Sequence, residues 1–240
     1  MTKIKKFRFF GIRFIEGDFN NIKNLLDKGG LLVLPAAPAL SNIYVDKIYY
    51  KSLRNADIAL FDSGFFCLLL LFFKNIKVKK YSGLKFLTQF IDSLQYCSDK
   101  IFMINPSFKE QSLNKKYLKL KKLNNLSHYV APYYNKNNVI DHKLVKIIKK
   151  NKPKYIIVNL GGGIQEILGS YLKSNLNYKP SIICSGAAIA FLTGQQAKIP
   201  FIFDKLYLGW LIRIIFNPFI FIPRYIKAFK LVFLMKYILK

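Results

Sequence analysis

Apolar residues along this chain fall into short runs separated by longer stretches of helical periodicity. Leu31–Leu34, Ile58–Phe61, Ile101–Ile104, Tyr155–Val158 and Ser181–Cys184 are runs of aliphatic or β-branched character. Runs this short, apolar on both faces, read as strands of a covered sheet. Between them, segments near 20–28, 43–54, 84–95, 139–150 and 164–175 repeat their apolar positions at helical spacing. Asp18 is placed to cap the first of these helices, and Asn138 or Asp141 the fourth. Strands separated by helices predict an α/β fold, a mostly parallel sheet with helices on both faces. In such a sheet ligands bind in the loops beyond the carboxyl ends of the strands.

Those loops carry the candidate chemistry. Asp62 follows the run 58–61 and precedes Ser63-Gly64. A carboxylate there suits a general base at the mouth of a cleft; it equally suits the N-cap of the next helix. Pro35-Ala36-Ala37-Pro38 makes a stiff, small-residue loop after the first run. Gly161-Gly162-Gly163 lies between a strand and a helix, where backbone N–H groups attract anions. It is neither a dinucleotide-binding GxGxxG nor a phosphate-binding loop of the GK[ST] type. Gln165 offers hydrogen bonds to a base, ribose or sugar. Glu166 is either a second ligand or a favourable acid in a first helical turn. Ser185-Gly186-Ala187-Ala188 permits close backbone approach after the last run.

Composition adds charge to this picture. Lys and Arg number 39 against 12 Asp and Glu, a formal charge of +27. Such a field attracts anionic partners: nucleic acid, acidic headgroups or diphosphates. Only Arg8, Arg13, Arg54, Arg213 and Arg224 are arginine. In a chain so rich in Lys, Asn and Ile, the lysine content is read equally as nucleotide bias in the genome or as selection for anionic partners, and the arginines gain weight. Their planar fork binds phosphate through two bonds, which a lysine does not. Cys67, Cys97 and Cys184 lack metal-ligand spacing and read as buried thiols of a reducing compartment. His128 and His142 read as surface or structural residues, Lys143–Lys150 as an outer amphipathic helix, and 109–125 as a solvent-facing helix and loop.

No apolar signal segment follows the basic N-terminus. The run Phe65–Phe73 is short of the about 20 residues that cross a bilayer. From Leu206 onward the chain interleaves Trp, Phe, Ile and Leu with Arg213, Arg224, Lys227, Lys230 and Lys236. This predicts an interfacial helix or helical pair, with Trp210, Phe216, Phe219 and Phe221 at the headgroup boundary. The expected organisation is a core over 1–205 and a basic, apolar membrane-associating appendage over 206–240.

In order along the chain, these pieces resemble the WecG/TagA/CpsF glycosyltransferase family. Asn55–Gly64 resembles the family's "NADLVLPDG", Tyr81-Ser82-Gly83-Leu84 its next glycine motif, and Leu160–Glu166 its "LGxPKQE". Gly186–Gly194 resembles "GxGxxFDFxxG", Ile199-Pro200 the end of "RAP", and Leu208–Arg213 with Pro218 and Arg224-Tyr225 "LEWLxRLxxxPxRxxRY". The family's "TPN" is Leu34-Pro35-Ala36 here, its "PK" is Gly163-Ile164, and its "RAP" arginine is Lys198.

The resemblance implies a Rossmann-like core and an inverting enzyme. It would move an N-acetylhexosamine of the ManNAc or ManNAcA type from a UDP-sugar to a polyprenyl-diphosphate-linked sugar, in bacterial surface polysaccharide synthesis. Asp62 matches the catalytic base. Gly83, Gly161, Gly162, Gln165, Glu166, Gly186 and Lys198 fall in substrate-binding motifs, and Arg213 and Arg224 match arginines that meet a diphosphate. The enzyme would be cytoplasmic and peripheral on the inner face of the plasma membrane, touching anionic lipid and no nucleic acid, with self-association left open. The UDP-sugar is a substrate, no cofactor is implied, and without an Asp-x-Asp no metal is expected. The rival expectation is a basic α/β protein that binds membrane or nucleic acid without transferring anything.

Overall fold

The computed structural model describes residues 3–123, 125–196, 203 and 206–237. Strands β1 (Lys5–Phe9) and β2 (Ile12–Glu16) form an antiparallel hairpin. Its two turn residues, Phe10 and Gly11, both have positive φ, at 53° and 71°, the conformation that matches strand twist in a two-residue hairpin. Helix α1 (Phe19–Leu26) follows, capped by the Asp18 carboxylate on the Asn21 amide at 2.8 Å. Then come β3 (Gly30–Val33), α2 (Ala37–Leu40), α3 (Lys47–Asn55), β4 (Ile58–Leu60), α4 (Gly64–Lys74) and α5 (Gly83–Ser93). The second half runs β5 (Ile101–Asn105), α6 (Phe108–Leu120), β6 (Leu126–Val130), α7 (His142–Asn151, capped by Asp141), β7 (Tyr155–Val158), α8 (Ile164–Asn175), β8 (Ser181–Cys184) and α9 (Ala188–Leu192). Helices α10 (Gly209–Phe216), α11 (Pro218–Ala228) and α12 (Lys230–Tyr237) complete the described chain.

The eight strands make one sheet in the order β1-β2-β4-β3-β8-β7-β5-β6, parallel throughout except for β1 against β2. The five predicted strands are its central members; β1, β2 and β6, mixed in polarity and lying at the edges, carry no continuous apolar run. The central strands β3, β7 and β8 are buried along their whole length, as a sheet covered on both faces requires. One face packs Leu31, Val33, Phe61, Ile156 and Ile182 under α3, α4, α7 and α8; the other packs Leu32, Leu60, Met103, Ile157 and Ile183 under α1, α5, α6 and α9. On the β1 edge, exposed Lys5, Lys6 and Arg8 discourage further strand pairing. Strand β3 has β4 on one side and β8 on the other. The chain order reverses there, the point at which open sheets of this kind bind ligands beyond their strand ends.

Among the described residues the C-terminal segment forms three helices, where the sequence predicts one or a pair, and they fold back on the core. Helices α10 and α12 pack on α4, and α11 packs on α2, the helix following β3. Phe65 is the anchor, its ring edge-on to Trp210 at 5.5 Å and to Phe229 at 5.6 Å. Trp210, expected at a lipid boundary, therefore packs inward, between Phe65 and Tyr225. Phe219, by contrast, is 95% exposed. A second expectation fails at Cys97: Cys67 and Cys184 are buried, but Cys97 is exposed. It sits in the polar loop between α5 and β5, where no sheet or helix covers it.

Candidate active site

The turn after β4 decides what Asp62 can do. Ser63 takes the capping position of α4, its hydroxyl accepting from the Phe66 amide at 3.3 Å. Asp62 is thereby released from the cap role, and its Oδ1 accepts from the Gly83 amide at 2.7 Å. Gly83 opens α5, whose own cap is Ser82. The positive end of that helix therefore faces the carboxylate. A Cβ on Gly83 would lie 3.5 Å from Leu34 Cδ1, 3.6 Å from Asp62 Oδ1 and 3.8 Å from Ala188 Cβ. The loops after β3, β4 and β8 thus meet at one point.

The triple-glycine turn leads from β7 into α8. Gly161 and Gly162 are exposed, with nothing within 4 Å of where a side chain would stand. Gly163 has φ +95°, and its amide donates to Glu166 Oε2 at 2.7 Å. Glu166 Oε1 accepts from Gln165 Nε2 at 3.0 Å, and Gln165 Oε1 accepts from the Gly186 amide at 2.6 Å. Gln165 and Glu166 are both buried. Burial pushes the Glu166 carboxyl up to about 7, against the opposing pull of its N–H donors and of Lys136. Glu166 braces the turn, and Gln165 ties it to the loop after β8.

That loop joins the two halves of the site. Gly186, at φ +59°, touches Gln165, and Ala188 lies beside Gly83 and Asp62. Two polar residues sit at the same level: Asn159, which no sequence signal singles out, and Ser185, which the sequence marks only as a small residue. Asn159 and Ser185 directly follow β7 and β8 and are both buried, with Ser185 Oγ donating to Asn159 Oδ1 at 3.2 Å. A third is Lys136, in the loop before α7. Its ammonium pairs with Asp46, the cap of α3, and its chain lies against Gly163, so that a Cβ there would come within 3.2 Å of Lys136 Cε. Among 34 lysines, no sequence signal distinguishes it.

The C-terminal helices bring arginine to the same region. Tyr225 on α11 is half-buried against Trp210; burial raises its hydroxyl pKa, with Arg213, Asp62 and Arg224 as the charges acting on it. Arg213 lies over the Phe191 ring at 5.2 Å, and Arg224 over Phe221 at 5.5 Å. Both line a cavity of about 310 Å³ shared with Phe191, Gln195, Phe216 and Asn217. Lys198 lies outside the described residues. Among the described residues, no group of three His, Cys, Asp or Glu side chains is placed to hold a metal ion.

The profile of the glycosyl transferase WecG/TagA/CpsF family matches residues 7–240. No curated protein is similar enough to the chain to count as a match. The family match takes in the sheet, both site loops and the arginine-bearing helices alike. The chain therefore belongs to the WecG/TagA/CpsF family and is a glycosyltransferase.

Proposed function

We propose that the protein transfers an N-acetylhexosamine, of the ManNAc or ManNAcA type, from a UDP-sugar to a polyprenyl-diphosphate-linked sugar at the inner face of the membrane. The observation that carries this reading is helix α9: its first residue, Ala188, lies at the spot where the Gly83 amide holds the Asp62 carboxylate, and its Phe191 lines one cavity with Arg213 and Arg224. A carboxylate and two arginines brought to the same short helix suit an acceptor that joins a sugar hydroxyl to a diphosphate.

In this reading the reaction is a single displacement. Asp62 takes the proton of the acceptor hydroxyl as that oxygen bonds to the anomeric carbon. The bond from that carbon to the donor's phosphate oxygen breaks on the opposite face, and UDP leaves with the electron pair, inverting the centre. The exposed backbone at Gly161 and Gly162 leaves room for the donor phosphates. Gln165 and Gly186 position the donor, Gly83 holds the base, Lys198 adds charge, and Glu166 keeps the turn in shape. Preorganised donors of this kind stabilise the charge of the leaving group. The deciding experiment is Asp62→Asn assayed with UDP-N-acetylhexosamine and a lipid-linked acceptor. Undiminished turnover would remove Asp62 as the base and the reading with it.

A further inference from the structure

Helix α4 buries Phe65, Phe66, Cys67, Leu69 and Leu70, yet its last turn does the opposite. Leu71, Phe72 and Phe73 are 39%, 77% and 42% exposed. Three successive helical residues spread over roughly 200° of the circumference. They form a blunt apolar tip, not the stripe that a partner helix or a groove would match. Asn75, at φ 52°, stops the helix, and Lys77 and Lys79 follow, both exposed. No Asp or Glu occurs between Asp62 and Asp92. The nearest acid on a neighbouring element is Glu16, which accepts from the Lys79 amide at 2.8 Å and pairs with Lys5 at 3.5 Å. Helix α4 also packs on α10 and α12, whose Ile215, Phe216 and Phe233 are exposed.

An apolar tip without a fixed complementary shape, ringed by cations, suits a fluid anionic partner. We propose that Leu71, Phe72 and Phe73 are a membrane-insertion point of the catalytic core, entering the apolar layer of an anionic bilayer while Lys77 and Lys79 hold its headgroups. The inference rests on the reading that the acceptor is lipid-linked, and it adds a core contact to those of the C-terminal helices. No described helix is long and apolar enough to cross a membrane, so the tip enters one leaflet only. Asp62 stands just before the other end of this 11-residue helix. At about 1.5 Å per residue, the tip holds the carboxylate within about 16 Å of the apolar layer along the helix axis.

The test is co-sedimentation of the full chain with vesicles of phosphatidylcholine and phosphatidylglycerol in equal parts. The wild type binds, and Phe72→Ser/Phe73→Ser lowers the partition coefficient about tenfold or more, through the loss of two aromatic anchors, with its melting temperature unchanged. In a second measurement, Phe72→Trp adds fluorescence that brominated lipids quench beyond the Trp210 background. Equal binding by the double serine variant, or no added quenching, overturns the proposal while leaving the transferase reading intact. A lipid-free wild type that self-associates, and loses this in the double variant, assigns the tip to a second copy and also overturns it. Undiminished turnover by Asp62→Asn, with tip-dependent binding preserved, overturns the transferase reading and leaves the tip in place.

Discussion

The Gly83 amide donates to Asp62 Oδ1 at 2.7 Å, tying the end of β4 to the start of α5. The bond aims the carboxylate by backbone geometry, and asparagine retains an oxygen able to accept it. Asp62→Asn is therefore expected to fold normally and to lose about 10²–10⁴ in turnover, the usual contribution of a general base. A fall in melting temperature that accounts for the lost rate would point to a structural role instead.

The Glu166 carboxyl, at 4.5 in the unfolded chain, is pushed up to about 7 in the fold. A carboxyl raised by folding favours the folded state while both forms are protonated. That contribution is lost as pH rises from about 4.5 to about 7, because the unfolded chain gives up its proton first. Denaturant titrations at pH 4.5 and pH 8 should show a stability decrease in the wild type that Glu166→Gln largely removes. Equal slopes in the two proteins would mean that Glu166 titrates normally.

Gly64 opens α4 directly against the C-terminal segment. A Cβ at this position would lie 2.2 Å from the Tyr207 carbonyl oxygen, a backbone atom that moves only with its chain. Gly64→Ala should destabilise the protein by about 1–3 kcal/mol and hasten tryptic cleavage near Arg213. Unchanged melting and unchanged cleavage would show that α10 is not seated on α4.

Arg213 and Arg224 each stack on a ring and line one cavity. Lysine keeps the charge and loses the planar fork. Arg213→Lys and Arg224→Lys should each raise the KM for a diphosphate-linked acceptor about tenfold, equivalent to about 1.4 kcal/mol, with the donor KM unchanged. A shift in the donor KM alone would assign these arginines to the other substrate.

Cys97 alone among the three thiols is exposed. A hydrogen bond to Asp99 at 3.0 Å, and to a lesser degree burial, raises its pKa above the ordinary 9.0. One thiol should therefore label in the native protein, slowly at neutral pH and faster as pH rises, and all three in denaturant. Two fast-labelling native thiols would contradict the buried positions of Cys67 and Cys184.

Much of the candidate site is legible in the sequence. Asp62 and the triple glycine stand out in the sequence because the close of an apolar run marks a strand end. The exclusion of Asp62 from the cap role does not, since Asp62 and Ser63 are both good caps and only the backbone path chooses between them. Lys136 was hidden because its partner, Asp46, lies 90 positions away in the chain. Tyr225 is visible within a motif, but its seat against Trp210 depends on how α10 and α11 pack.

Burial on two faces, helical spacing and capping are properties of neighbouring residues. The amino-acid order therefore sufficed for the central strands, most helices of the core and the family. Strand order, the inward seat of Trp210 and the exposure of Cys97 depend on contacts between distant segments. So does the cavity that Arg213 and Arg224 share with Phe191 of α9, the helix whose first residue lies near Gly83 and Asp62. Such contacts are selected by the packing of the whole molecule, because no local pattern records which distant surface will cover a given residue.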